Sequence, residues 1–321
     1  MTDRATEYIT LSIAIVSWNT CDLTKDCIES IIENTKNMSY EIIVVDNASQ
    51  DDSVKVIEES FPQVRLIKND RNLMFAEPNN QALEVSSGKY FLLLNSDTIV
   101  HGDALEQMVD FLEIHPDTGA VTCKLLNPDG STQYNMHRRF PTFLGLAFGY
   151  IYKRYPRFKT KWVRKYLMLD NKFDKTQRIE QAAGACIMLK RNILGRIGGL
   201  FDTERFPLYY NDVDLCYRLH KSQFQTYLMP DASITHLKGK SIGNIDPSIS
   251  RRELSVSSLD YFKKHKKYLD YTCLKMGYLA VFLFIALYSL PLFPVTKTSF
   301  ASLKNRLSLP LSVLLDRKII L

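Results

Sequence analysis

A run of apolar and aromatic residues at positions 90–94 ends abruptly in Asn95, Ser96 and Asp97. A buried strand has no use for a carboxylate at its carboxyl end, whereas an open α/β sheet binds its ligands just outside those ends. Asp97 is a hard oxygen ligand, suited to a Mg²⁺ or Mn²⁺ ion that carries a diphosphate. The alternative is an aspartate that caps the next helix, and this motif alone does not decide between the two.

Two further predicted strands end in similar polar groups. Ser17, Trp18 and Asn19 follow the first strand, and Asp46 begins the segment Asp-Asn-Ala-Ser after the second. An acid can accept a hydrogen bond from a base N–H or a ribose hydroxyl, while an aromatic ring stacks on the base. Ordinary turn chemistry also explains each motif alone, but three on successive strand ends favour a nucleotide site. Neither Gly-x-Gly-x-x-Gly after the first strand nor a Walker A sequence occurs, which argues against dinucleotide and P-loop enzymes.

Two carboxylates, Asp212 and Asp214, begin a predicted helix, and His236 follows a later apolar segment. Asp212 is either an N-cap or a general base that deprotonates a hydroxyl. Asp214 is favoured by the helix dipole in a first turn. His236 is either structural or a further metal ligand.

The elements that must position these groups alternate along the first 120 residues. Strands are predicted at 11–16, 41–45, 64–67 and 91–94, with helices at 22–34 and 77–87 between them. Continuous apolar strands alternating with helices predict a mostly parallel central sheet covered on both faces, an α/β fold. We predict one domain over 1–245, with a basic and aromatic excursion at 137–175, a helix at 212–219 and a last strand at 225–228.

The net charge of +6 is concentrated locally. Residues 137–165 contain nine lysines and arginines and no acidic residue. Such a patch suits phosphates, anionic lipid headgroups or nucleic acid, although charge runs are more often solvated faces. The six cysteines form no Cys-x-x-Cys pair, so we expect reduced core residues in a cytosolic protein. The N-terminus has no apolar stretch of signal-peptide length.

Residues 276–295 contain no charged side chain, and this uncharged stretch has about the length that crosses a bilayer core. A buried core helix is the alternative, but it would show a polar face somewhere. We therefore predict a basic and hydrophobic membrane-association region over 246–321. Lysines and arginines flank the apolar stretch on both sides, which opposes simple spanning. We expect the segment to lie along or dip into the cytoplasmic leaflet, a peripheral or monotopic attachment, with a single span as the alternative.

At this point the chain resembles the family 2 inverting glycosyltransferases, which have the GT-A (nucleotide-diphospho-sugar transferase) fold. The resemblance covers residues 11–243 and is nearest to the rhamnosyltransferase-like branch that builds lipid-linked or cell-envelope glycans. It is carried by the order and spacing of short motifs: Ile15-Val16-Ser17-Trp18-Asn19, Val44-Val45-Asp46-Asn47-Ala48-Ser49, Leu92-Leu93-Leu94-Asn95-Ser96-Asp97, Gly198-Gly199-Leu200-Phe201-Asp202, Asn211-Asp212-Val213-Asp214 and His236.

The resemblance implies a role for each matched residue. Asp97 and His236 would hold Mn²⁺ or Mg²⁺ on the donor diphosphate, and Asp212 would be the catalytic base. The donor nucleotide would be bound by Ser17, Trp18, Asn19, Asp46, Asn72, Asn80 and Ser96.

Three positions depart from the family pattern. Asn95 replaces the first acid of the metal motif, and Asn211 replaces a glutamate before the base. Met74 stands where the family has a glycine, so the loop must avoid positive φ there or accept strain.

We therefore predict a metal-dependent inverting glycosyltransferase. The donor is a nucleotide sugar, with dTDP-rhamnose as our specific expectation. The acceptor is a polyprenyl-diphosphate-linked or other glycan at the cytoplasmic membrane face. We expect no nucleic acid partner and leave homo-oligomer formation open. The rivals are a nucleotidyltransferase, which usually carries a Gly-rich loop with a lysine that is missing here, and a membrane-anchored, non-catalytic sugar-nucleotide-binding protein, which Asn211 and Met74 would favour.

Overall fold

The computed structural model describes residues 8–289 apart from 135, 238 and 240–244, and it describes the backbone alone at 154, 248 and 281–289. The chain divides into two compact units. The first comprises Met1–Phe140, Arg164–Pro207 and Asn211–Asn244. The second comprises Pro141–Val163, Leu208–Tyr210 and Ile245–Leu321. The excursion that was predicted at 137–175 is therefore divided, and its central part belongs with the C-terminal residues.

Strands and helices alternate along the first unit and helices dominate the second. In chain order the elements are β1 Leu11–Ser17, α1 Cys21–Asn34, β2 Tyr40–Asp46, α2 Ser53–Ser60, β3 Arg65–Lys68, α3 Ala76–Val85, β4 Tyr90–Asn95, β5 Thr98–Val100, α4 Ala104–Ile114, β6 Thr118–Leu126, α5 Phe143–Arg154, α6 Lys161–Tyr166, β7 Gln177–Arg178, β8 Cys186–Lys190, α7 Asn211–Lys221, β9 Gln225–His236, α8 Pro247–His265 and α9 Tyr268–Ser289.

The central sheet has the strand order β3-β2-β1-β4-β8-β6-β9-β5, with β7 paired to β9. The first four strands in this order pair in parallel, as the alternating strand and helix pattern predicted. Beyond β4 the sheet is mixed, because β8 runs antiparallel to both β4 and β6. The expectation of a mostly parallel sheet is thus correct for the N-terminal half and wrong for the rest. A parallel neighbour is usually reached through a single crossover helix. The chain instead reaches β8 after the long 127–185 connection, and β8 pairs antiparallel to its neighbours.

Both faces of the sheet are covered by apolar side chains. Ile13 and Ile15 of β1 pack in one core cluster and Ala14 in the other. On β4, Leu92 and Leu94 point into the first cluster, while Phe91 and Leu93 point into the second. This two-sided burial explains why the strands read as continuous apolar runs.

The second unit is built on helices α5, α8 and α9. The Ser258 and Tyr278 hydroxyls hydrogen-bond between α8 and α9 at 2.9 Å. Gly277 of α9 faces the Phe143 ring of α5, where a Cβ would lie 3.8 Å from the ring edge. None of the helices within the described part of the chain is both long and apolar enough to cross a membrane. Residues 290–295 of the predicted membrane segment lie outside the described residues.

Candidate active site

The polar groups that the sequence singled out lie at one edge of the sheet. Ser17 pairs with Asp46 in the parallel ladder of β1 and β2. Val16 pairs with Asn95 in the ladder of β1 and β4. Since all three strands run in the same direction, the loops that follow them open from the same edge.

Asp46 is 1% exposed, and only one of its carboxylate oxygens has a partner. Oδ2 accepts a hydrogen bond from the Ser49 backbone N–H at 2.9 Å. Oδ1 is buried and accepts none. A buried acceptor without a partner is costly in a folded protein, and it is explained when a ligand supplies the missing donor.

The loops after β1 and β2 are tied to each other. The Asn19 Oδ1 atom accepts from the Gln50 N–H at 2.7 Å, and the Ser49 hydroxyl accepts from the Asn19 N–H at 2.9 Å. The Cys21 N–H donates to Asp51 at 3.0 Å. Asn19 itself has φ 52°, a left-handed conformation that asparagine tolerates. Trp18 lies half-buried in this pair of loops.

Ser17 and Ser96 belong to a buried group of hydroxyls beneath the edge. The Ser17 hydroxyl lies 2.9 Å from that of Thr24, and the Thr20 hydroxyl lies 3.3 Å from that of Ser96. Ser17 and Ser96 are at most 1% exposed. These buried side chains therefore stabilise the ends of the strands through contacts with neighbouring hydroxyls.

The loop that contains Asn72 and Met74 is held by Asn47. The Asn47 amide nitrogen donates to the Met74 carbonyl oxygen at 2.6 Å and to the Asn72 Oδ1 atom at 3.3 Å. Asn72 Oδ1 also accepts from the Met74 N–H at 2.8 Å. Met74 has φ 66°. The loop thus adopts the left-handed conformation despite the missing glycine, which costs roughly 1–2 kcal/mol.

Asn80 lies on α3, and both the nitrogen and the oxygen of its side-chain amide form hydrogen bonds. Its nitrogen donates to the Phe201 carbonyl oxygen at 3.0 Å, and its oxygen accepts from the Phe201 N–H at 3.2 Å. Asn80 therefore fastens the segment after Gly199 to α3, and its amide already has two partners.

Asp97 and His236 are brought together by the antiparallel pairing of β5 and β9, in which Thr98 lies opposite His236. The His236 Nε2 atom lies 3.4 Å from the Asp97 Oδ1 atom. On its other side, His236 Nδ1 is 3.2 Å from the Gln133 Oε1 atom. This contact suits a histidine that donates from Nδ1 and keeps Nε2 as an electron-pair donor, the arrangement found around metal-binding histidines. No motif indicated a role for Gln133.

The donor set at this edge fits a divalent metal. The Asn95 Oδ1 and Asp97 Oδ1 atoms are both buried and accept no hydrogen bond. Oxygen ligands of this kind, with one or two carboxylates, are what Mg²⁺ and Mn²⁺ take when phosphates supply the rest. Within the described ranges, no three side chains of His, Cys, Asp or Glu cluster as a complete ligand set. An ion at this edge would need further ligands, which a bound phosphate group could supply.

Asp212 lies in the first turn of α7 and contacts the segment just before β8. Its Oδ2 atom accepts from the Gly184 N–H at 3.2 Å, and its Oδ1 atom accepts from the Val213 N–H at 2.8 Å. The next residue along, Ala185, accepts a hydrogen bond from the Asn95 N–H at 3.0 Å. Burial raises the pKa of Asp212, while the nearby charge of Arg138 opposes that shift. A carboxylate with a raised pKa has the basicity that proton abstraction requires.

Asp214 has a different environment although it is only two residues away. It is fully buried, and its carboxylate lies 2.7 Å from the Arg218 guanidinium. Arg218 also donates to the carbonyl oxygens of Ile197 and Gly199. Asp214 therefore anchors the segment before α7.

Comparison with known proteins identifies relatives of this chain. The sequence profile described as Glycosyl transferase family 2 matches residues 12–198. N-acetylglucosaminyl-diphospho-decaprenol L-rhamnosyltransferase from Mycobacterium tuberculosis is 26% identical over 220 residues, 64% of this chain and 69% of that protein. The O-antigen biosynthesis protein RfbC from Myxococcus xanthus is 27% identical over 254 residues, 77% of this chain. The chain spans 28% and 18% of the length of two of its curated relatives.

The fold is shared with solved glycosyltransferases. The mannosyltransferase PcManGT from Pyrobaculum calidifontis, solved in complex with GDP-Man and Mn²⁺, aligns with a TM-score of 0.55 at 16% identity. The alignment covers 98% of this chain and 89% of that one. At this identity the likeness shows the fold alone, which is the GT-A fold that the motifs predicted. Because the family profile matches more than half of the chain, the protein belongs to glycosyl transferase family 2.

Proposed function

We propose that this protein is a metal-dependent inverting glycosyltransferase that moves a sugar from a nucleotide donor to a lipid-linked or cell-envelope glycan. The observation that carries the proposal is the set of three buried acceptor oxygens without hydrogen-bond partners, Asp46 Oδ1, Asn95 Oδ1 and Asp97 Oδ1. They sit at one sheet edge, and a nucleoside diphosphate with its metal supplies a donor for the first and a cation for the other two.

Each group has a definite task in this proposal. Asp46 accepts a hydrogen bond from the nucleotide, and Trp18 provides a face for the base. Asn95, Asp97 and His236 would hold a divalent ion, which would offset the charge on the leaving diphosphate.

Asp212 takes the proton from the attacking acceptor hydroxyl. The new bond forms between that oxygen and the anomeric carbon while the bond from this carbon to the donor phosphate breaks. The nucleoside diphosphate leaves with the bonding electrons. Attack from the face opposite the leaving group inverts the anomeric centre.

The donor sugar follows from the relatives rather than from the site. We infer dTDP-rhamnose as the first donor to test, because a relative that matches 64% of this chain is named as an L-rhamnosyltransferase. Its name also supports a polyprenyl-diphosphate-linked sugar as the acceptor class. The cytoplasmic leaflet follows as the location, with the uncharged stretch at 276–295 lying along it.

Calorimetric titration of the full chain with UDP, GDP, CDP and dTDP, with and without Mn²⁺, tests the site. We expect one base to bind preferentially and Mn²⁺ to strengthen that binding. Equal, metal-independent binding of all four would reject the proposed site.

The preferred nucleotide sugar is then assayed for hydrolysis and for transfer to a polyprenyl-diphosphate sugar. Binding without any turnover, under conditions in which the acceptor is present, would favour a non-catalytic sugar-nucleotide-binding protein. Release of a sugar 1-phosphate in place of a nucleoside diphosphate, with transfer of the nucleoside monophosphate, would favour the nucleotidyltransferase.

A further inference from the structure

Helix α5 of the second unit has an apolar stripe that the described residues leave open to solvent. Leu144, Phe148, Ile151 and Tyr155 recur at spacings of four, three and four residues, which places them on one face of the helix. Leu144 and Ile151 are each 39% exposed, and Tyr155 is 56% exposed. Phe143, which faces Gly277 of α9, lies on a different side. The contact of α5 with Gly277 therefore lies on a different side of the helix from this stripe.

The turn that follows α5 extends the exposed apolar surface. Its backbone is closed by hydrogen bonds from the Phe158 N–H to the Tyr155 carbonyl and from the Thr160 N–H to the Phe158 carbonyl, at 2.9 and 3.1 Å. Phe158 is 62% exposed at this turn. Trp162 stacks on Phe148 with the ring centroids 5.0 Å apart and is itself 37% exposed. Most of the Phe158 side chain therefore lies outside the packing of the described residues.

The same segment is strongly basic. Pro141–Val163 contains five lysines and arginines, seven aromatic residues and no aspartate or glutamate. Lys153, Arg157 and Lys159 are exposed. In the part of the chain that the structure describes, none of these three forms an ion pair, whereas exposed cations of the first unit such as Lys68 and Lys89 do. Aromatic rings and unpaired cations on one exposed segment match the headgroup region of an anionic bilayer, where rings insert and cations meet lipid phosphates.

We propose that the surface formed by α5, the 155–160 turn and Trp162 of α6, here called the α5 surface, docks on an anionic lipid leaflet. This attachment is additional to the one proposed for 276–295. It does not rest on the transfer reaction, since lipid binding is measured without donor or acceptor. The occupant is a lipid leaflet because the segment combines interfacial aromatics with uncompensated positive charge.

The two tryptophans of the chain allow a local test that the C-terminal residues do not obscure. In the full chain, Trp18→Phe leaves Trp162 as the sole tryptophan, and Trp162→Phe leaves Trp18. Each variant is mixed with vesicles of phosphatidylglycerol and phosphatidylcholine that contain brominated lipid as the quencher. We expect the Trp162 emission to shift to the blue and to be quenched, and the Trp18 emission to change little. Unchanged Trp162 emission on vesicles that carry the chain would overturn the proposal.

Charge reversal tests the electrostatic part. Two lysines near an anionic surface contribute about 1 kcal/mol each, so Lys153→Glu with Lys159→Glu should raise the lipid concentration for half-quenching of Trp162 at least about tenfold. Lys36→Glu with Lys55→Glu is the matched control, because both lysines are exposed on the first unit. We expect the control pair to change the lipid concentration for half-quenching of Trp162 far less. Equal effects of the two pairs, or equal quenching on pure phosphatidylcholine, would contradict a specific anionic docking surface. A Trp162 response to duplex DNA but not to vesicles would identify a polyanion in place of a membrane.

Discussion

The two aspartates of the first turn of α7 provide a matched pair for separating catalysis from folding. Asp212→Asn keeps the shape of the side chain and one acceptor oxygen, but removes the basicity. It loses one of two backbone hydrogen bonds, worth about 1 kcal/mol, and gains by no longer burying a charge. We therefore expect the free energy of unfolding to change by no more than about 1 kcal/mol. Turnover should fall by roughly 10²–10⁴-fold, the usual contribution of a general base.

Asp214→Asn should behave in the opposite way. Its carboxylate is fully buried against Arg218, whose side chain is 13% exposed. Breaking a buried pair by removing one partner costs about 3–5 kcal/mol, and the remaining amide and the partial exposure of Arg218 reduce this to roughly 2–4 kcal/mol. At about 2 °C per kcal/mol for a chain of this size, we expect a loss of roughly 4–8 °C in melting temperature. At a temperature where it is folded, this variant should retain most of its turnover.

The assays are donor turnover with Mn²⁺ and urea denaturation of both variants. The reasoning about Asp212 is refuted if Asp212→Asn turns over within a few-fold of the wild type. It is equally refuted if the variant loses donor binding and stability together, because that pattern indicates a capping role. The pH profile gives an independent check. Since burial raises the pKa of Asp212 and the base must be ionised, kcat/KM should fall on the acid side with a pKa above the ordinary aspartate value.

Four further outcomes follow from the contacts. Asp97→Ala should abolish Mn²⁺-dependent nucleotide binding without unfolding the chain, because its Oδ1 atom has no hydrogen bond to lose; calorimetry with retained Mn²⁺ dependence would remove it from the site. Asp46→Asn should weaken nucleotide binding by roughly 10–100-fold, the loss of about 1.5–3 kcal/mol for a hydrogen bond to a charged group, and should leave the stability of the free protein unchanged. Asp51→Asn, whose carboxylate already accepts from Ser53, should instead lower the stability of the free protein and leave nucleotide binding unchanged. Met74→Gly should raise the free energy of unfolding by up to about 1 kcal/mol, since left-handed strain is relieved; a lower urea midpoint would show that side-chain packing outweighs it. Burial lowers the pKa of His137 to about 4, so the unfolded chain binds a proton that the folded chain excludes; the free energy of unfolding should fall by roughly 3 kcal/mol from pH 6.5 to pH 4, and a His137→Gln variant with the same slope would exclude this group.

The strands of the N-terminal half were predictable because their signals are local. β1, β2 and β4 are short apolar runs with polar residues at one end, and nothing in their pairing contradicts that pattern. The acids at these ends fall at one edge simply because the strands are parallel.

The strands β6 and β9 show where local signals fail. Gly119 weakens the pattern of β6, yet a Cβ there would lie 2.8 Å from the Phe224 Cβ atom, so the glycine permits close packing. Pro230 suggests that β9 ends after residue 228, but the strand continues to His236. The register shifts between Cys123 and Lys124, which face Met229 and Ser233, and this irregularity accommodates the proline.

Most contacts between distant residues could not be derived from local patterns, and the proximity of Asp97 and His236 was expected only from the family resemblance. His236 reaches Asp97 only because the three-residue strand β5 pairs with the end of β9, and a strand of that length has no readable periodicity. Gln133, which contacts His236, belongs to no motif, and the motif that contains Phe201 did not indicate that its backbone binds Asn80. Sequence motifs therefore indicated the candidate site residues but not the residues that hold them in place.

The ties between the loops after β1 and β2 determine when conformational entropy is lost. Because Asn19, Ser49 and Gln50 fix one loop to the other in the free protein, the ordering of both loops is completed during folding. A nucleotide that meets Trp18 and Asp46 then loses little further freedom in the chain, which makes the site preorganised. In the proposed site, affinity for the base therefore depends on the ties that Ser49 and Gln50 make as well as on the groups that contact the nucleotide. Loosening one tie would add an ordering cost of about 1–2 kcal/mol per freed residue to each binding event.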